Sequence, residues 1–296
     1  MNHYVSVIIP VYNDAPNLMR CLDALGKQTL NKSRYEIIVV DNGSTDDLES
    51  RLGPCPTVRL VSEHRPGSYA ARNKGILSSN GDILVFTDSD CIPNEDWLEK
   101  GLSSLLTKDN IGFVAGNLIF FPRDADNLTG PELWEMLNNY DAEMFVDSMH
   151  FGLTANLFVP KEVFGKVGLF NPELKSAGDY EWGNRVYDKG FRTYYDENVV
   201  VMHPARRTVS QLINKTRRLI GGQLDVGIIN KRSCAGKILV DMIPPVVSMY
   251  RLMRGRELKT FGRVDHKFKI VIIFLILRYV SVYEMTRLLL GGKPVR

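Results

Sequence analysis

The feature that most constrains this chain is an alternation, over residues 4–116, between short β-branched or aliphatic runs and helix-length amphipathic segments. Tyr4-Val5-Ser6-Val7-Ile8-Ile9, Tyr35-Glu36-Ile37-Ile38-Val39-Val40, Val58-Arg59-Leu60-Val61, Ile83-Leu84-Val85-Phe86 and Ile111-Gly112-Phe113-Val114-Ala115-Gly116 read as strands, the first, second and fourth of them buried. After the first, Leu18, Leu22 and Leu25 recur at i, i+4, i+7. They form one apolar stripe on a helix that Asp14 can cap, with Pro16 tolerated in its first turn. Ser44 and Asp47 have capping-box spacing for a short helix. Gly67-Ser68 opens another helix through Ile76, and Leu98, Leu102 and Leu105 share a face of one that begins at Pro93 or Asn94. Strands alternating with helices at this spacing predict βαβ units: an α/β fold, Rossmann-like, with a mostly parallel central sheet flanked by helices. Right-handed crossovers then bring the strand-end loops to one edge.

Polar residues gather at those loops: Tyr12, Asn13, Asp41, Arg72, Asp88 and Asp90. In an open α/β sheet the crevice beyond the strands' carboxyl ends is where ligands sit. Asp88-Ser89-Asp90 follows the fourth strand directly, and paired carboxylates are hard ligands suited to Mg²⁺ or Mn²⁺ held together with substrate phosphates. Alone, an Asp-x-Asp pair is as readily a solvated acidic loop. Asp41 could equally cap the Asn42-Gly43 turn, and Arg72 could be a helix-surface charge. Neither GxGxxG nor GxxxxGK[ST] follows the first strand, which disfavours a dehydrogenase and a P-loop enzyme.

Four blocks carry a closer likeness. Val5-Ser6-Val7-Ile8-Ile9-Pro10-Val11-Tyr12-Asn13, Asp41-Asn42-Gly43-Ser44-Thr45-Asp46, Ala71-Arg72-Asn73-Lys74-Gly75 and Asp88-Ser89-Asp90 resemble, in order and spacing, family-2 glycosyltransferases of the GT-A fold. The later blocks extend the likeness to about residue 203. The resemblance implies an inverting, nucleotide-sugar-dependent enzyme whose donor is held by Pro10, Tyr12, Asp41, Arg72, Asp88 and Ser89. Asp41 is expected to read the base, Arg72 to contact base or phosphate, and Asp88 to touch ribose or metal. By the same resemblance Asp90 is expected to be the principal metal ligand, and His203, which ends the strand-like run Val199 to Met202, is a candidate third one.

Ser176-Ala177-Gly178-Asp179-Tyr180-Glu181-Trp182 resembles the family's Glu-Asp block, with Gly178 where many members have Glu. The resemblance places the general base at Asp179. Ser176 stands three residues before it at capping-box spacing, a structural alternative. Asp179 and Glu181, two apart on a helix, cannot face one pocket, and Glu181 can pair with Arg185 four residues on. Asn156, in a strand-like run 154–159, and Trp182 are acceptor-side candidates. Leu133 to Met149 reads as one helix whose acids form a wet face.

Charge is unevenly distributed. Residues 1–204 carry 18 Lys and Arg against 29 Asp and Glu, a balance of −11; residues 205–296 carry 19 against 5, a balance of +14. This division predicts a catalytic domain over 1–204, with a nucleotide-sugar half to about 118 and an acceptor half beyond, then a helical basic extension over 205–296 interrupted at Gly221-Gly222 and Pro244-Pro245. Ile270 to Leu277 is eight uninterrupted apolar residues with charged flanks, short of the ~20 a membrane span needs. An interfacial helix at an anionic membrane surface fits better, with a core helix as the alternative. No named nucleic-acid motif is present, so nucleic acid is not an expected partner. Cys21, Cys55, Cys91 and Cys234 show no CxxC spacing and read as free thiols of a reducing compartment. The N-terminus enters a strand directly, without a signal-peptide pattern. The expected location is the cytoplasm, peripheral at the inner membrane face.

The combined reading is a Mn²⁺- or Mg²⁺-dependent hexosyltransferase that moves a sugar from a UDP-sugar to a hydroxyl of a saccharide or lipid-linked saccharide. Cell-surface polysaccharide or glycoconjugate synthesis is the expected setting. Transfer to a polyprenyl phosphate and a non-catalytic nucleotide-sugar- or glycan-binding partner are the rivals. A nucleotidyltransferase is disfavoured because its Gly-rich first loop is replaced by Pro10-Val11-Tyr12-Asn13.

Overall fold

The computed structural model describes residues 3–53, 57–138, 140–243, 245, 249 and 263–295; Cys55 and Pro244 lie outside them. The chain divides into two compact units, residues 1–119 with 140–203, and residues 120–139 with 204–296. The boundary differs from the one composition suggests, because residues 120–139 group with the C-terminal helices. Composition sees charge, whereas contacts follow the chain as it leaves and re-enters the sheet.

The first unit is built on an eight-stranded sheet. Its strands are β1 (Val5–Val11), β2 (Tyr35–Asp41), β3 (Val58–Ser62), β4 (Ile83–Phe86), β5 (Ile92–Pro93), β6 (Ile111–Phe121), β7 (Leu157–Pro160) and β8 (Arg192–Pro204), in the order β3-β2-β1-β4-β7-β6-β8-β5. β3, β2, β1 and β4 run parallel, while β7 pairs antiparallel with β4 and β6. The chain moves outward from β1 to β3 and then returns to place β4 on β1's other side. That reversal is the switch point at which α/β proteins bind ligands. Pro10 is tolerated in this central strand because β4 pairing stops at Ile8↔Phe86. The side on which Pro10 lacks an N–H therefore faces beyond the end of β4.

Helices α1 (Ala15–Gly26), α2 (Leu48–Leu52), α3 (Ser68–Ser78) and α4 (Trp97–Leu106) supply the crossovers. Leu18 and Leu25 of the predicted stripe are fully buried, with Val5, Val7 and Ile9, in the main core. Two expected caps are absent. The side chain of Asp14 accepts from Asn17 and Ser89 rather than from the α1 backbone, and α2 starts at Asp47 without a side-chain cap while Ser44 Oγ accepts from Asn13 N–H. Gly75 seats α3 on the sheet: a Cβ there would lie 2.4 Å from Ile8 Cγ2, so only glycine permits this approach.

The predicted helix over Leu133 to Met149 is two helices, α5 (Gly130–Leu137) and α6 (Ala142–Met149), in different units. α7 (Lys161–Val167) and α8 (Gly178–Asp188) complete the first unit's helices among the described residues.

In the second unit α11 (Val264–Leu289) packs on α5, α9 (Val209–Asp225) and α10 (Lys231–Met242), and α5 also touches α9. Of the acids in the segment 133–149, Asp141, Glu143 and Asp147 are exposed, as a wet face requires, but Glu135 of α5 is not. Glu132 and Glu135 are buried; Glu132 closes a capping box with Thr129, and Glu135 pairs with Arg206 (2.8 Å) and Lys215 (2.6 Å). Glu284 of α11, also buried, pairs with Arg217 (2.8 Å) and Arg287. Part of the basic excess thus neutralises buried carboxylates. Burial pushes Glu135 up, but Lys215 and Arg206 outweigh it and hold the carboxyl below its ordinary 4.5. A carboxyl lowered in the fold contributes stability above its unfolded value and loses it as pH falls toward the native one. The second unit should therefore loosen below pH 4.5. Glu135→Ala, which leaves two cations without their buried partner, should cost about 3–5 kcal/mol by chemical denaturation near neutral pH.

Along α11, Val264, Phe268, Ile272, Tyr279 and Tyr283 are all exposed. At 100° per residue they fall within about a third of the helix circumference. No helix among the described residues is long and apolar enough to cross a membrane.

Candidate active site

The loops beyond β1, β2 and β4 are stitched into one edge. Asn42 N–H donates to Val11 O (2.9 Å) and Thr45 N–H to Asn13 Oδ1 (2.7 Å), while Asp41 Oδ1 accepts from Ser44 N–H (2.8 Å). Asp41 thus caps its turn and remains half-buried at the edge. Asn13 takes the left-handed conformation (φ 51), which Asn tolerates better than most residues. Tyr12 beside it is 63% exposed, a flat apolar face at the mouth of the crevice.

The Asp88-Ser89-Asp90 turn sits across from these loops. Ser89 Oγ donates to Asp14 Oδ2 (2.9 Å), pinning the turn to the start of α1. Asp88 accepts from the buried guanidinium of Arg72. The register Ile92↔Met202 between β5 and β8 brings His203 beside the turn, with its Nε2 3.6 Å from Asp90 Oδ1. One ligand atom each from Asp88, Asp90, Cys91 and His203 lie within 4.8 Å of one another. Carboxylate oxygens and an imidazole suit a hard or borderline divalent cation such as Mn²⁺. Cys91 is fully buried, and burial, followed by the charges of Asp88 and Asp90, pushes its thiol well up. A soft thiol of this kind makes a wall of the site rather than a Mn²⁺ ligand. The set Asp88, Asp90 and His203 therefore fits the metal.

Arg72 extends the site inward. Its Nε and Thr87 Oγ1 are buried with no hydrogen-bond partner, and its guanidinium carbon lies 5.6 Å from the centroid of the Tyr69 ring. Tyr69 Oη donates to Asp179 Oδ1 at 2.8 Å. A connected line thus runs from Asp88 through Arg72 and Tyr69 to Asp179 at the start of α8. Ser176 does not cap this helix. Its N-cap is Ala177, in the left-handed region (φ 59), without a side-chain cap. Glu181 pairs with Arg185 (2.7 Å), the intrahelical pairing its spacing implies.

Two expected acceptor contacts are corrected. Asn156 is 1% exposed and committed to structure: Nδ2 donates to the carbonyls of Asn117 and Val199, and Oδ1 accepts from Trp97 Nε1. Trp182 is equally buried, stacked on Phe164 with its N–H donating to Gly168 O. Neither can meet an acceptor without dismantling the core. Tyr69 was missed by motif reasoning; its one signal is an aromatic three residues before Arg72, one helical turn away.

A model described as glycosyl transferase family 2 matches residues 6–168. Over 236 residues the chain is 38% identical to glycosyltransferase AglE of Haloferax volcanii, spanning 78% of this chain and 76% of that one. It is 22% identical over 231 residues to a dolichyl N-acetyl-α-D-glucosaminyl phosphate 3-β-D-2,3-diacetamido-2,3-dideoxy-β-D-glucuronosyltransferase of Methanococcus voltae, spanning 72% and 71%. Among solved structures, mannosyltransferase PcManGT from Pyrobaculum calidifontis, in complex with GDP-Man and Mn²⁺, aligns with TM-score 0.64 at 20% identity, covering 98% of this chain and 88% of that one. The fold likeness extends well beyond the four sequence blocks.

Proposed function

Because the chain belongs to glycosyl transferase family 2, we propose that it is an inverting, metal-dependent transferase that moves a hexose from a nucleotide sugar to an acceptor hydroxyl. The observation that carries this reading is the line just described, in which the Asp88, Asp90 and His203 cluster connects through Arg72 and Tyr69 to Asp179. Asp90 and His203, with Asp88, would hold Mn²⁺ or Mg²⁺. When bound, the cation supplies positive charge against the diphosphate leaving group, where negative charge develops.

The remaining roles belong to side chains of the edge. Tyr12 and Pro10 flank the base, and Asp41 accepts from its ring N–H. Arg72 neutralises the donor side of the loop, and Ser89 keeps the turn in place through Asp14. Asp179 takes the proton of the acceptor hydroxyl as that oxygen bonds to the anomeric carbon. The bond to the diphosphate breaks on the opposite face, so the anomeric centre inverts. A UDP-sugar is the first donor to test. The reading is tested by incubating UDP-, GDP- and dTDP-sugars with Mn²⁺, with and without chelator. Release of one nucleoside diphosphate that stops with chelator supports it. No binding or release with any donor contradicts the assignment of this edge.

The acceptor of this reading is a saccharide or lipid-linked saccharide, met at the inner face of a membrane. Support comes from the exposed apolar face of α11 and the basic balance of residues 205–296. The protein should float with phosphatidylglycerol-containing vesicles at low salt, and Phe268→Glu with Ile272→Glu should abolish flotation. Failure of the unaltered protein to associate rules out the membrane assignment while leaving the transferase intact.

A further inference from the structure

Gly178 and Tyr69 form a matched pair at the start of α8. A Cβ added at Gly178 would lie 2.6–2.9 Å from three ring carbons of Tyr69, nearer than real Cβ atoms come to a neighbour. The ring cannot easily yield. It is 5% exposed, packs on Phe170 at a centroid distance of 5.8 Å, and carries the Arg72 guanidinium on its other contacts. Its hydroxyl is equally committed. It donates to Asp179 Oδ1 at 2.8 Å and accepts from Gly178 N–H at 2.9 Å and from Asp179 N–H at 3.3 Å. A phenol offers one proton and two lone pairs, so these three bonds saturate it and leave no valence for water or substrate.

The backbone supports the same geometry. Ala177 holds a left-handed conformation (φ 59) that an alanine rarely adopts, and from there the chain turns so that two successive N–H groups converge on Tyr69 Oη. Such strain persists only where surrounding contacts over-determine it. Burial, then the charge of Asp179, pushes the phenol well above its ordinary 10.0, so it stays a donor across the neutral range.

We propose that Tyr69 is a positioning residue for Asp179. Its hydroxyl fixes the carboxylate with one oxygen engaged and the other left for the acceptor proton, and position 178 is glycine because the ring requires that space. This inference rests on the reading of Asp179 as the base. It also accounts for the departure at Gly178: a glutamate there would place its Cβ 2.6 Å from the Tyr69 ring.

The test uses the full chain carrying Tyr69→Phe, Asp179→Asn or both, with kcat and donor KM measured on the panel donor that gives the fastest Mn²⁺-dependent release. Tyr69→Phe keeps the ring and removes only the hydroxyl; it should lower kcat about 10- to 100-fold through loss of alignment while leaving donor KM within about two-fold. In the Asp179→Asn background the same change should have no further effect on kcat, a non-additivity that a general packing role would not give. Wild-type kcat in Tyr69→Phe, or a full additive loss in the double variant, overturns the positioning role while the base assignment stands. Wild-type kcat in Asp179→Asn, or no turnover of any donor by the unaltered protein, overturns the base reading and this inference with it.

A thermal-melting cycle reads the pair independently of activity. Gly178→Ala should destabilise the unaltered protein and have little effect in Tyr69→Ala, where the ring no longer occupies the space. Equal destabilisation in both backgrounds contradicts the steric half of the proposal.

Discussion

Asp90→Asn should lower Mn²⁺-dependent turnover by about 10³-fold, the scale on which removing a single group aimed at developing charge slows an enzyme. The substitution is nearly isosteric, so melting temperature should stay close to that of the unaltered chain. What changes is the site: of the carboxylates beside His203 Nε2, the one 3.6 Å away becomes neutral, and the remaining donors in the cluster carry one negative charge fewer. Apparent Mn²⁺ affinity should fall in parallel, and raising Mn²⁺ should restore part of the rate. The measurement is nucleoside diphosphate release against Mn²⁺ concentration. An unchanged rate at every Mn²⁺ concentration would remove Asp90 from the metal site.

Asp179→Asn should leave donor affinity unchanged and lower kcat by about 10²- to 10⁴-fold, the range over which a positioned base acts. An amide oxygen can still accept from Tyr69 Oη, so the local fold is kept while the capacity to take a proton is lost. Loss confined to kcat marks an interaction needed only as the reaction proceeds. Single-turnover transfer, with donor KM measured alongside, separates the cases. A rise in KM with unchanged kcat would instead make Asp179 a binding residue. Donor binding without turnover in the unaltered chain, on any acceptor supplied, would favour the non-catalytic partner.

The parallel half of the fold was legible because β1, β2 and β4 are buried on both faces and read as mostly apolar runs between helical stripes, with β3 a partly exposed edge strand. The site edge was legible for a related reason, since Asp41, Asp88 and Asp90 stand directly after those strands in the chain. His203 was harder. It meets Asp90 only through the register of β5 with β8, a pairing between residues more than a hundred positions apart. The acceptor-side candidates are buried for a definite physical reason. From sequence Asn156 suits a structural and an acceptor-side role alike, and in the fold its amide satisfies two carbonyls and an indole inside the core. Burial of a polar group with complete hydrogen bonding leaves no trace in composition.

The acids of α5 misled in the same way. Glu135 is isolated in sequence from its cations and meets Arg206 and Lys215 only in the folded second unit. Reading the basic excess of residues 205–296 as wholly available to an outside surface therefore overstates it. Tyr69 has no charge and no motif, and its role depends on a hydroxyl meeting two backbone N–H groups across 109 residues of chain. Such a contact needs the chain between α3 and α8 to fold back through the intervening strands and helices, which no local pattern records.

In the proposed function the edge formed by Asp88, Asp90 and His203 would hold the cation that neutralises the donor diphosphate. Crystals soaked with Mn²⁺ and UDP, measured for manganese anomalous scattering, test it most directly. One strong peak is expected within coordination distance of Asp90 and His203, with UDP phosphate oxygens beside it. A peak elsewhere in the chain, or UDP bound on this edge with no manganese beside it, would contradict it.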